Sequence, residues 1–307
     1  MTRRRLVVIS SAVSILGLGL VAALAVVSVL KTQLGRNFAR DYVARLLAPR
    51  IKGKVFVGSI TSLSFGSASI DSVEIRGPDD SLFVAAGRLT VRLDPRDLLD
   101  KRLLLSLVEI DRPVVHFRKD ANGKWNYKGI FATGPNKKRV PGAERGWGEY
   151  FVADSLILRH GTFLLSMPWH PDDSLHGAKR DSAIARNLTR RDKVINRTAS
   201  GFERTWRWEN IHLVSGYTRL ADPDSVGRLV QIAKLDADEF DPPFNFRNVR
   251  GGARQTADSL WLDLVHFDLP GSTGKAAGKV WWGGPEPTKY DLRIVGDSVS
   301  LADVNWV

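Results

Sequence analysis

Apolar and polar residues alternate along most of this chain, and the period is two. From Lys54 onward Val55 and Val57 alternate, then Leu63 and Phe65, and Val73 and Ile75 stand against Ser72 and Glu74. Leu89, Val91 and Leu93 interleave with Thr90, Arg92 and Asp94, and Val108 and Ile110 with Glu109 and Asp111. Later come Leu156 with Leu158, Ile211 with Leu213, Leu260 with Leu262 and Leu264, Val280 with Trp282, and Leu292 with Ile294. Successive side chains of a strand point to opposite faces, so each strand gains one dry face and one wet face. That favours antiparallel strands over a parallel sheet buried on both sides. Gly77-Pro78-Asp79-Asp80, Asn122-Gly123 and Gly283-Gly284-Pro285 supply turns, Asn-Gly being the strongest short hairpin signal. Residues 95–101 read as a short helix among the early strands, with Pro95 at its first position.

The front of the chain follows a different rule. Residues 6–30 are 25 consecutive positions without a charge. As a helix they would reach roughly 37 Å, more than the ~30 Å hydrocarbon layer. Arg3, Arg4 and Arg5 precede them, which keeps residues 1–5 in the cytoplasm and sends the chain after Lys31 across the membrane. The alternative is a cleaved signal peptide with Ala23-Leu24-Ala25 at the cut, but the apolar run continues past that point. The expectation is a single-pass membrane anchor with the bulk of the chain outside the cytoplasm. Residues 33–50 then form a short amphipathic helix, with Phe38, Tyr42, Leu46 and Leu47 opposite Arg36, Arg40, Asp41 and Arg45. Within 31–52 this helix serves as a juxtamembrane collar, a cap on the first strands, or both.

The expected organisation continues with a first β segment at 53–134, loop and strands with a basic insertion at 135–207, and a second β segment at 208–307. Residues 135–148 are rich in Gly, Pro and Lys and read as a loop. Residues 168–207 form a second interruption. Between 179 and 207 nine Lys/Arg stand against three Asp/Glu, half of the chain's net charge of +12. The window reads as a helical insertion or a disordered loop, and its sparse apolar residues favour a solvated, mobile segment. Residues 297–307 read as a last strand-like stretch with Trp306 next to the end and no terminal helix. Such an edge would be open, so a longer natural chain is expected.

Composition removes several classes of chemistry. The 307 residues contain no Cys, which excludes disulfides, thiolate metal sites and Cys nucleophiles. The basic balance points to an anionic partner. Outside the cytoplasm that means lipid headgroups or acidic glycolipids rather than nucleic acid. His170, Asp172, Asp173 and His176 are the densest set of metal-capable residues, but they lie beside Pro168 and Pro171 without zinc spacing, so no metal is expected. Asn187-Leu188-Thr189 and Asn196-Arg197-Thr198 match a glycosylation pattern that is common by chance. No nucleophile elbow, zinc helix or phosphate loop occurs, and neither an enzyme nor a cofactor is expected.

Three stretches carry a family resemblance. The first runs Leu107-Val108-Glu109-Ile110-Asp111-Arg112-Pro113-Val114-Val115-His116-Phe117-Arg118-Lys119-Asp120-Ala121-Asn122-Gly123-Lys124-Trp125-Asn126: strand, proline, strand, hairpin, then Trp-Asn. The second is Phe240-Asp241-Pro242-Pro243-Phe244, leading through Arg250-Gly251-Gly252 to Leu269-Pro270-Gly271-Ser272, and the third is Ser298-Val299-Ser300-Leu301-Ala302-Asp303-Val304. With the anchor and the early strands, the chain resembles the N-terminal portion of the AsmA/TamB family of bacterial envelope proteins, apart from the basic insertion. The resemblance implies a mainly β fold: an elongated antiparallel sheet bent into a U-shaped apolar groove after the transmembrane helix. It also implies a similarity to bridge-like lipid-transfer proteins that let phospholipid tails slide between membranes.

The groove residues expected from the alternation are Val73, Ile75, Leu89, Val91, Val108, Ile110, Leu156, Leu158, Leu260, Leu262, Leu264, Leu292 and Ile294. A sheet with one apolar face must cover it with another sheet, a helix layer or a ligand. Arg186, Arg190, Arg191, Lys193 and Arg204 are candidates to face headgroups, Arg204 sharing a strand face with Trp206 and Trp208. Asp at Val91 or Leu262 is expected to block lipid passage without unfolding the protein. The expected partners are phospholipid and the inner membrane, with an outer-membrane protein or assembly factor as a further one. A rival from another class is a structural or assembly factor for outer-membrane proteins that works through strand edges. A third is a periplasmic sandwich that binds glycolipid through the basic window.

Overall fold

The computed structural model describes residues 32–47, 51–64, 66–98, 100, 102–130, 150–190, 194–222, 227–240, 243–256, 258–281 and 289–304. The expected membrane helix at 6–30, the loop at 135–148, and Arg191, Lys193 and Trp306 lie outside them. Among the described residues no helix is long and apolar enough to cross a membrane.

The chain is mainly β, with one large mixed sheet. Its early strands come in pairs that continue one another: β1 (Lys54–Val57) into β2 (Ile60–Ser64), β3 (Ser67–Ile70) into β4 (Val73–Arg76), and β5 (Leu82–Ala86) into β6 (Arg88–Leu93). In the same way β7 (Leu103–Asp111) continues into β8 (Val114–Arg118), and β9 (Phe151–Ala153) into β10 (Leu156–Trp169). On each side of the breaks a first half pairs with a second half: β1 with β4, β4 with β5 and β5 with β8 on one side, β2 with β3, β3 with β6 and β6 with β7 on the other. The result is a meander of long strands, each broken once near its middle. After β10 come β12 (Gly201–Ala221), β13 (Arg228–Phe240), β14 (Pro243–Gln255), β15 (Ser259–Asp268), β16 (Thr273–Trp281) and β17 (Lys289–Ser298), each antiparallel to the one before.

One junction departs from the antiparallel expectation. β9–β10 runs parallel to β7–β8, and residue numbers differ by 48 at every pair, from Leu103 beside Phe151 to Arg118 beside Ser166. A parallel neighbour needs a crossover rather than a tight hairpin. Residues 119–130 are its described part. They begin with a turn in which Gly123 (φ +78°) donates to the Asp120 carbonyl at 3.0 Å. α2 (Asn126–Ile130) follows. Asn126 fastens this crossover to the strand: its Nδ2 donates to the His116 carbonyl at 2.7 Å, and its Oδ1 accepts from the Arg118 N–H at 3.1 Å.

The mid-strand breaks line up across the sheet. Arg112, His160, Asn210 and Asn248 all have left-handed backbone, with φ of 49°, 54°, 49° and 51°, and they sit in successive long strands apart from β13. Register slips at these points in β10, β12 and β14 mark bulges. A bulge bends its strand and raises the local twist, so a row of bulges creases the sheet along one line. On the polar face short contacts stitch this line. His160 meets Asp111 at 3.3 Å, Asn210 donates to Asp238 at 2.8 Å, and Asn248 donates to Asp268 at 2.8 Å. His266 meets Asp268 at 3.0 Å.

Three expectations meet different structure. The described residues after Pro168 carry regular structure: β10 runs on to Trp169, α3 spans Gly177–Leu188, and β11 (Ile195–Thr198) forms a hairpin with β12. Few apolar residues suffice because Ala183, Val194 and Ile195 are all buried. The end of the chain carries a short helix, α4 (Leu301–Val304), seated by the Asp303 carboxylate, which accepts from the Gly271 N–H at 2.8 Å. The stretch from Pro95 is a single 3-10 turn, Pro95–Leu98. α1 (Gln33–Leu47) is helical, as the amphipathic pattern predicts, and it lies against β1 and β2.

Candidate functional site

Directly paired residues in neighbouring strands point to the same side of a sheet, so the register identifies faces without further assumption. One row runs Ile60, Ile70, Leu89, Ile110, Leu158, Leu213, Leu235, Val249 across eight long strands. A second runs Leu63, Ala68, Val91, Val108, Leu156, Ser215, Ile232, Gly251, Leu264, Ala276, Ile294. Across the crease a third runs Val55, Ile75, Val84, Val115, Phe163, Trp208. Val230, Ala253, Leu262, Gly278 and Leu292 form a fourth, and Leu260 follows beside Val280. Val73 lies two residues from Ile75 in the same strand. All thirteen residues expected to line a groove therefore stand on one continuous apolar face. Glu239, in register with Trp208 and 9% exposed, is a carboxylate that this face also carries.

The face is filled differently along its length. Toward β1, Ile51, Phe83 and Ile130 close over Val55, Ile75, Val84, Phe117 and Tyr127, so α2 covers that part. Phe83 and Phe117 meet edge-on at 5.6 Å, and Phe117 and Phe163 at 5.7 Å. Around β6 and β7 a second cluster joins Leu105, Val108 and Ala153 to Leu89, Val91, Ile110 and Leu156. Val108 is only 6% exposed.

From β10 to β17 the face opens. A cavity of about 640 Å³ is walled by Phe163, Trp208, Ile211, Leu235, Ala237, Phe246, Val249, Leu264, Phe267, Leu269, Ala276 and Ile294, with Asp303 at its edge. It touches seven successive strands, and its size lies within the range of pockets that hold small organic ligands. Of the thirteen expected residues only Leu264 and Ile294 reach its wall. Phe163, Trp208, Leu235, Phe246, Val249 and Phe267 were not in that set. Alternation of Leu235 and Ala237 with Asp236 and Asp238 signals this face. The bulges shift the apolar positions from Trp208 to Ile211 and from Phe246 to Val249, which hides the period of two.

Gly251 and Gly278 occupy the apolar rows with φ of 142° and 152°, a region reserved for glycine. A Cβ on either would come within 2.1 Å of the Asp263 carbonyl or 2.0 Å of the Asp291 carbonyl. These positions set hollows in the row between larger neighbours.

The basic candidates spread over different elements. Arg204 stands on the apolar face, its guanidinium 4.8 Å from the Trp206 ring. Arg186 lies in the last turn of α3, and Arg190 follows that helix. His170 is 3.7 Å from Asp173, and Asp172 accepts from the Ser174 N–H at 2.8 Å, as in a turn. Those hydrogen bonds from Ser174 lower the Asp172 pKa. Among the described residues no three His, Asp or Glu converge as metal ligands.

On the opposite face a buried polar chain links three strands: His116 Nε2 to Ser166 Oγ at 2.8 Å, and Ser166 Oγ to Thr205 Oγ1 at 2.7 Å. Ser166 has no exposed surface, so this chain is structural rather than nucleophilic. Burial pushes the His116 pKa down, with Glu203 opposing and Arg118 adding.

No family model matches the chain, and no curated protein matches it in sequence.

Proposed function

We propose that the apolar face is the floor of a trough that holds and conducts phospholipid acyl chains, in a protein anchored to the inner membrane by residues 6–30. The observation that carries this reading is the cavity between β10 and β17, walled by apolar side chains from seven strands and left uncovered by any helix layer among the described residues. An apolar surface of this extent calls for a covering partner. Hydrophobic contact is non-directional, so chains slide along such a floor without a fixed polar site. The crease through Arg112, His160, Asn210 and Asn248 supports a bent sheet, with its long axis across the strands. α1 fits the collar role: Leu34 and Phe38, one turn apart, are 81% and 67% exposed, while Arg36 reaches the Thr61 carbonyl of β2. The resemblance to AsmA/TamB proteins points the same way.

A photo-crosslinking amino acid at Leu235 tests the reading against the same group at Val265, which is 62% exposed on the other face. Labelled phospholipid in the membrane should attach to the Leu235 probe and not to Val265. Equal labelling of both positions would remove the trough.

A further inference from the structure

The apolar face changes character toward one rim, and the change follows a single strand. β12 carries Ile211 and Trp208 at the cavity, then Trp206, and then Arg204 and Phe202 toward its start. In register, Arg204 sits between Met167 of β10 and Ile195 of β11, and Phe202 between Trp169 and Arg197. Both guanidinium groups lie on rings: Arg204 over Trp206 at 4.8 Å, and Arg197 over Phe202 at 5.4 Å. Trp169 meets Phe202 edge-on at 5.9 Å and holds that platform in place. Glu203, between the two platforms in sequence, points to the other face and binds Arg118 at 2.6 Å.

A stacked guanidinium is fixed in plane, with its N–H groups directed outward from the ring edge, a geometry that suits phosphate oxygens. The spacing suits a lipid. Arg204 is four residues from Trp208, about 13 Å along an extended strand. One tail spans about half of the ~30 Å hydrocarbon layer, or about 15 Å. A tail that runs from the two arginines along β12 therefore reaches the cavity at Trp208.

Resting on the reading of the apolar face as an acyl-chain site, we infer that the rim formed by Arg204 and Arg197 binds the phosphate headgroup of anionic phospholipid, and that the protein prefers such lipid over zwitterionic lipid. The aromatic rings hold the cations, and the cavity takes the tail. Neither part is specific alone.

The test offers the full chain, in mild detergent, equal amounts of fluorescent phosphatidylglycerol and phosphatidylcholine with identical tails. The wild type should carry the anionic lipid in about tenfold excess, the worth of one charge-assisted hydrogen-bond pair. Arg204→Gln with Arg197→Gln should bring the ratio close to one, while Arg254→Gln on the opposite face keeps the wild-type ratio. Where the double variant fails to fold, the exposed single change Arg197→Glu carries the test and should lower the ratio. An unchanged ratio with lipid still bound overturns the headgroup site. No lipid of either class on the wild type removes the acyl-chain reading instead. Soluble glycerol phosphate, which has the head without the tail, should not compete at lipid-saturating concentrations; equal competition would make this a site for free phosphate and overturn the lipid assignment.

Discussion

Arg112 and His160 occupy equivalent points of two neighbouring parallel strands, and both adopt left-handed backbone, with φ of 49° and 54°. The 48-residue offset that pairs these strands is the same before and after them. Each strand spends one residue on the bulge, so the register survives the bend. The same compensation recurs between His160 in β10 and Asn210 in β12, where pairing resumes at Phe163 and Trp208. Matched bulges let the sheet bend while its apolar rows stay aligned on one face.

The crease predicts a sharp preference at Asn248. Asparagine tolerates left-handed backbone, and a β-branched residue does not. Asn248→Val should cost about 1–3 kcal/mol in chemical denaturation, from strain and the lost side-chain bond to Asp268. Asn248→Gly keeps the backbone and should cost less than Asn248→Val. Equal losses would mean that the conformation carries no weight.

Gly278 offers a test of the hollows in the apolar face. Gly278→Ala places a Cβ against the Asp291 backbone and should destabilise by more than about 1 kcal/mol. Since β16 and β17 pair there, hydrogen exchange should rise first in β17. Unchanged exchange and stability would contradict the close approach.

A charge on the cavity wall should empty it. Leu264→Asp is expected to reduce bound lipid at least about tenfold, because the carboxylate needs water where a chain would lie. Val91 is a poorer place for this test than the alternation suggests. It packs with Leu105 and Val108, so Asp there should lower stability as well as lipid content. Lipid retained in folded Leu264→Asp would count against the trough.

His116 predicts a pH dependence. Its folded pKa is depressed by burial, so the unfolded chain takes up a proton first as pH falls through about 6.5. Stability should be complete above that range and decline below it. His116→Gln should flatten the decline in urea denaturation between about pH 7 and 5. An identical slope in the variant would show that His116 is not its source.

Much of the apolar face was legible because strand periodicity is a local property. Leu260, Leu262 and Leu264 announce their side of β15 through Trp261, Asp263 and Val265 on the other. The cavity was not legible, since it depends on which part of the face remains open after α2 and the β6–β7 cluster fill the rest. Nor was the parallel junction, which depends on pairing between strands far apart in sequence. Sparse apolar residues favour a loop over a helix at α3, because Ala183 supplies its buried contact and carries almost no hydrophobic signal. At the bulges the apolar period jumps from two to three, as between Trp208 and Ile211, and that jump was a readable mark of the bend.

Native mass spectrometry of the full chain released from membranes in mild detergent, followed by lipid extraction, tests the central claim most directly. Phospholipid should be bound in at least equimolar amount and lost in Leu264→Asp. A folded wild-type protein that comes off the membrane free of lipid would contradict it.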